Sequence, residues 1–202
     1  MIAGVAVPSI ALINQSQQDA IYALNQRSAA SSVVLEDPTL SSTQVSATAA
    51  PSSSIDAKPA AIATLTIPRF GADWVRVVYE GTGVSRVLTP LGVGHYTGTA
   101  SPGEQGNFAV AAHRAGSGGP FRDIDKFRAG DEVIVKTATG SFTYRYLATK
   151  VVNPGDVGVI APVPLGLQGG SIGHAYLTLT SCTPIHVNTQ RIVAWFELVS
   201  SN

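Results

Sequence analysis

Residues 175–199 read AYLTLTSCTPIHVNTQRIVAWFELV, and this stretch sets the fold class. AYLTLTSC and RIVAWFELV are short runs of β-branched and aromatic residues, separated by Pro184 and a polar run to Gln190. They read as two strands of a hairpin. Side chains of a strand alternate between faces, so Tyr176, Thr178, Thr180 and Cys182 share one face and Leu177 and Leu179 the other. The leucine face is the natural core face. Cys182 is therefore expected on the more polar side, at the end where Pro184 stops the pairing. The same hairpin brings Arg191, which opens the last run, back beside the thiol.

The pattern recurs upstream. AIATLTIP (61–68), WVRVVYEG (74–81) and SRVLTP (85–90) are strand-like runs bounded by Pro and Gly, and NFAVAAH (107–113) suits a strand buried on both faces. Residues 131–152 read as a hairpin, with Val133 and Val135 alternating on one arm, Phe142, Tyr144 and Tyr146 on the other, and Gly140 near the turn. Only PFRDIDKF (120–127) suggests a short helical turn. About eight short strands in about 140 residues, with no long amphipathic helix, predict a mainly β fold closed or nearly closed into a barrel.

The chain before residue 61 is different material. Residues 1–13 are apolar but interrupted by Pro8, and read either as the stub of a longer N-terminal anchor or as a greasy end. Residues 14–27 carry Ile21 and Leu24 on one face of a short polar helix, a thin apolar stripe. Residues 28–60 are dominated by Ser, Ala and Thr, punctuated by Pro38, Pro51 and Pro59, and lack aromatics. Such a segment buries too little apolar area to offset its ordering entropy and reads as a flexible tether. The expected division is therefore 1–27, 28–60 and a barrel domain at 61–202.

Composition excludes several functions. Thirteen basic residues balance 13 acidic ones, so the chain has no electrostatic footprint for nucleic acid. A single cysteine rules out a disulfide framework and a multi-thiolate zinc site. No run of apolar residues is long enough to span a bilayer as a helix. Walker, HExxH and GxSxG strings are absent, and Asp123, Asp125, Asp131 and Glu132 lack calcium-loop spacing.

The single thiol needs an explanation. A lone cysteine is commonly a small buried hydrophobe, but the polar face and strand-end position of Cys182 equally suit a reactive thiol. His113 closes NFAVAAH before a glycine-rich loop, where an imidazole can pair with a thiol at another strand end of the same barrel; satisfaction by loop carbonyls is the plain alternative. Of the other histidines, His95 lies in a turn-rich stretch, His174 precedes a strand, and His186 follows Cys182 on what reads as a mobile loop. Arg191 can donate to an oxyanion or form a rim salt bridge. Arg114 and Arg122 read first as surface charges.

Taken together, these residues resemble a sortase. Thr178-Leu179-Thr180-Ser181-Cys182 is similar to the family's TLxTC signature, with Ser181 where threonine is usual; the hydroxyl is kept. Arg191 falls where the family's arginine follows on the next strand, and His113 matches the histidine at the end of the strand-and-glycine-loop element. Gly94-His95-Tyr96-Thr97-Gly98-Thr99, the run from Gly106 through His113 to Arg114, and Pro120-Phe121-Arg122-Asp123 are most similar to class E sortases of actinobacteria. The resemblance spans about residues 61–199.

It implies a closed eight-stranded sortase-type β-barrel with short helical turns, and a cysteine transpeptidase. Cys182 would attack the Thr–Gly carbonyl of a C-terminal LAxTG/LPxTG-like sorting signal, Arg191 would steady the oxyanion, and His113 would protonate the leaving amine. Tyr96, Thr180 and Ser181 would contact substrate, with Tyr96 linked to tolerance of Ala in the signal. The implied partners are surface proteins bearing a sorting signal and an amine acceptor from a peptidoglycan precursor or another protein. No cofactor or metal is implied, and no nucleic acid. The implied location is the extracellular face of the cell membrane, through an N-terminal anchor that residues 1–13 do not complete.

The rival readings are weaker on the residues. An L,D-transpeptidase would want a His-Gly-Cys string, and a papain-like peptidase a helix-borne cysteine. A non-enzymatic surface β-domain on a stalk would want its own sorting signal and apolar tail, which residues 199–202 do not supply.

Overall fold

In the computed structural model, which describes residues 58–202, eight strands form a closed barrel. They are β1 (Ala61–Thr66), β2 (Val75–Glu80), β3 (Val93–His95), β4 (Gly106–Ala112), β5 (Glu132–Lys136), β6 (Ser141–Val152), β7 (Ala175–Thr183) and β8 (Gln190–Ser201). Their order around the barrel is β1-β2-β3-β4-β7-β8-β6-β5. Neighbours are antiparallel except β2/β3 and β4/β7, which run parallel. The stub, the polar helix and all but the end of the tether expected from the sequence lie outside the described residues.

The core follows the period-2 reading. Leu177 and Leu179 of β7 point inward with Phe108 and Val110 of β4, Val133 and Val135 of β5, Tyr144 of β6 and Phe196 of β8. Each such side chain contributes about 1.5–3 kcal/mol on full burial. Phe121, Ile124 and Phe127, from the segment after His113, join the same core. Their short 3₁₀ turn, Ile124–Lys126, is the helical turn expected in PFRDIDKF.

One expected strand is not a strand. SRVLTP falls mostly within a π-type turn, Val84–Leu88, in which the Val87 and Leu88 amides both donate to Gly83 O. β2 and β3 are parallel, so the chain between them must cross back along the barrel, and Val84–Leu88 lies in that crossover. Val87 plugs the crossover against Val77 and Tyr79. The vacated place in the barrel goes to Val93–His95, in the stretch read as turns. Gly94 is required there: a Cβ would lie 2.2 Å from Gly81 O. Two further 3₁₀ turns, Pro68–Phe70 and Val157–Ile160, were also not expected.

The polar face of β7 is buried too. Thr178 is 0% exposed and donates to Asn107 Oδ1 at 2.7 Å. The β6–β7 connection lies over this side, held where Asn107 Nδ2 donates to Ala161 O and Trp195 Nε1 to Val159 O. The more polar face of β7 is thus an internal hydrogen-bonded layer, and Cys182 at its end is the less buried member.

Candidate active site

Three strand ends meet at one rim. β7 and β8 are antiparallel with Cys182 opposite Arg191, so the hairpin returns the guanidinium-bearing residue to the thiol. β4 and β7 are parallel, and their ladder ends at Ala111 opposite Thr180. The same register continues beyond it, since Ser181 Oγ donates to Ala112 O and Arg114 Nη1 to Thr183 Oγ1, each 69 residues apart. His113 and Cys182 share that offset, which sets them at one level of the extended register. In a parallel pair, residues at one level project to one face.

Cys182 is half-buried, and its sulfur is in no disulfide. Burial holds the His113 imidazole below its ordinary value of 6.5. Its Nε2 lies 3.2 Å from Thr89 Oγ1, a contact the sequence reading missed because Thr89 belongs to the misread SRVLTP. Arg191 is partly buried, and its Nη1 donates to the carbonyls of Asn188 (3.2 Å) and Gln190 (2.9 Å). These bonds anchor the guanidinium to its own loop at the rim.

The other candidates divide. Tyr96 and Thr180 meet, with their hydroxyls 2.9 Å apart. Both line a cleft of about 160 Å³ that reaches Arg191 and is walled by Val152, Pro154, Val157 and Ile160. Val152 ends β6, and the other three come from the connection after it, where no local pattern marked them. Ser181 is buried, and its hydroxyl donates to Ala112 O at 2.7 Å, so it faces the neighbouring strand instead of the cleft.

The remaining histidines and arginines find separate roles. His95 is buried at the end of β3, between Glu80 (2.8 Å) and Thr99 (2.9 Å), and is not in an open turn. His174 pairs with Glu197. His186 is exposed beyond the last β7–β8 pair, Thr183 and Gln190, with φ +67°. Arg122 is exposed, but Arg114 is not the surface charge expected of it: it is 7% exposed and ion-paired to Asp125 at 2.9 Å. Among the described residues, no group of three or more His, Cys, Asp and Glu is arranged to hold a metal ion.

The closed barrel thus carries a single thiol at the end of an internal strand, with Arg191 at the cross-strand position and His113 at the same register offset on the neighbouring strand. A family profile described as the sortase domain matches residues 65–199, and the chain belongs to the sortase family. Sortase E from Streptomyces avermitilis is 42% identical with a TM-score of 0.62, over 70% of this chain and 90% of that one. Sortase E1 from Streptomyces coelicolor, solved with a tripeptide in the active site, is 35% identical with a TM-score of 0.65, again over 70% and 90%. Among curated relatives, sortase SrtE1 of Streptomyces coelicolor is 38% identical over 144 residues, which is 68% of this chain and 40% of that protein. Sortase SrtE2 of the same organism is 34% identical, over 61% of this chain and 50% of that protein. The chain thus spans half the length or less of these two curated relatives. Among the described residues, no helix is long and apolar enough to cross a membrane.

Proposed function

We propose that the chain is a sortase-type transpeptidase that cleaves a C-terminal LAxTG/LPxTG-like sorting signal between Thr and Gly and passes the acyl group to an amine. What supports this reading is that β7–β8 pairing sets Arg191 opposite Cys182, and that His113 has the same 69-residue offset from Cys182 as the bonds Ser181–Ala112 and Arg114–Thr183 on either side. The thiolate of Cys182 adds to the Thr carbonyl carbon, and negative charge develops on the carbonyl oxygen. Arg191 donates to that oxygen, the kind of stabilisation that acts where charge appears. The C–N bond then breaks as His113 gives its proton to the departing glycine amine, leaving a thioester on Cys182. The acceptor amine attacks the thioester, forms the new amide and releases the thiol.

The cleft walled by Tyr96, Thr180 and the 153–160 segment runs to Arg191 and suits an extended peptide. A tripeptide occupies the active site of sortase E1 from Streptomyces coelicolor, and a sortase C from Clostridium perfringens has been solved with a C-terminal cell wall sorting motif. The donors would be surface proteins carrying the signal, the acceptor a peptidoglycan precursor or protein amine, and the place of work the outer face of the membrane. Mass spectrometry of the chain with LAxTG and LPxTG peptides and an amine acceptor tests this. Loss of the C-terminal glycine fragment with a matching amide product is expected. Intact peptide and no acyl-enzyme at Cys182 would refute it.

A further inference from the structure

Two side-chain hydrogen bonds bracket the His113–Cys182 level. The β4–β7 backbone ladder stops at Ala111 and Thr180, short of both residues. Immediately before them, Ser181 Oγ donates to Ala112 O at 2.7 Å. Immediately after them, Arg114 Nη1 donates to Thr183 Oγ1 at 2.7 Å. The second bond comes from a residue that is itself fixed: Arg114 Nε donates to Arg122 O at 3.2 Å, and its Nη2 lies 2.9 Å from Asp125 Oδ2.

A buried guanidinium is costly to desolvate, and breaking its partnerships leaves an uncompensated charge. Here each face of the planar fork is matched: a hydroxyl on β7, a backbone carbonyl, and a carboxylate on the turn at Ile124–Lys126. Lysine carries the charge but cannot present donors in that fork. The side chain therefore ties three segments at the point where the backbone pairing has run out.

We propose that Arg114 is a positioning residue, which through Thr183 holds the end of β4 against the end of β7 so that His113 and Cys182 stay at one level. The proposal rests on the reading of Cys182 as nucleophile and His113 as proton donor. Arg114 acts through these two residues and not on the substrate.

Thr183 offers the cleaner test, because Thr183→Val keeps the shape and removes the hydroxyl while Thr183→Ser keeps the hydroxyl. Each full-length variant is measured for sorting-peptide turnover, for thermal midpoint, and for the pH dependence of Cys182 alkylation by iodoacetamide. Thr183→Val is expected to lower kcat roughly 10-fold to 100-fold with KM within about twofold, the mark of lost alignment. Its alkylation profile should shift along the pH axis, and Thr183→Ser should restore both readouts. Arg114→Lys should behave as Thr183→Val does. Wild-type kcat and a superimposable alkylation profile in Thr183→Val would overturn the proposal, as would an equal loss in Thr183→Ser. Alkylation needs no peptide, so a wild-type protein that leaves sorting peptides intact counts against the transpeptidase reading alone.

Discussion

The hydroxyls of Tyr96 and Thr180 lie 2.9 Å apart, joining the segment after β3 to β7 two residues before the thiol. Thr180 also approaches Val110 O at 3.4 Å, so its hydroxyl links β4, β7 and the cleft wall. Tyr96→Phe removes one partner and keeps the ring. A single neutral bond of this kind is worth about 0.5–1.5 kcal/mol, so the fold should survive. The expected outcome is a changed ratio of kcat/KM between LAxTG and LPxTG peptides in Tyr96→Phe and Tyr96→Ala. An unchanged ratio in both variants would remove Tyr96 from signal selection.

Cys182→Ala and His113→Ala should each abolish transpeptidation with little change in thermal midpoint, since both residues sit at strand ends outside the main core. His186→Ala should retain most activity, because His186 is exposed beyond the β7–β8 ladder. The check is turnover of a sorting peptide by each variant beside its melting curve. A loss in His186→Ala as deep as in His113→Ala would mean that the proton comes from the other histidine.

Arg191→Lys should depress turnover for every sorting peptide alike. Loss of one oxyanion donor typically costs about 10²–10³ in kcat, and an ammonium does not reproduce the guanidinium's fork. The measurement is kcat with both peptides. Wild-type turnover in Arg191→Lys would reduce Arg191 to a rim charge.

His113 also predicts a pH dependence of stability. Burial lowers its folded value below the ordinary 6.5, so the unfolded chain binds protons more readily. Folding stability then rises with pH across the window between the two values. The contribution is fully present above about 6.5 and is lost as pH falls through the lowered folded value. The thermal midpoint of wild type should fall below pH 6.5 more steeply than that of His113→Gln. Parallel slopes for the two proteins would show that other groups set the acid limb.

The eight-strand count was legible, yet one of its members was wrong, and the reason is instructive. Val84–Leu88 has the β-branched content of a strand, but its conformation is set by the parallel pairing of β2 and β3, which is a long-range constraint. Val93–His95 is too short to show a period and carries a glycine, so propensity argues against it. The Cys182–Arg191 pairing was readable because hairpin register is local. His113 was readable as a strand end, whereas its level beside Cys182 depends on a parallel pairing that no local signal encodes. Arg114 was misread for the same reason: Thr183 and Asp125, which neutralise and bury it, reach it through the fold.

The position of β8 between β7 and β6 has a consequence for biosynthesis. It is the last strand of the barrel in chain order, and it supplies the arginine paired opposite Cys182. Until β8 inserts, β7 has no partner on that side and Cys182 stands at an open sheet edge, without Arg191. On the proposed mechanism, a nascent chain that has emerged only as far as β7 would hold its thiol without Arg191, and competence for acyl transfer would await β8. Arg191 reaches its place through the local β7–β8 hairpin, whereas the β6–β8 pairing that closes the barrel is less local and forms more slowly. On the proposed mechanism, acylation of the thiol would therefore begin only once the last strand is in place.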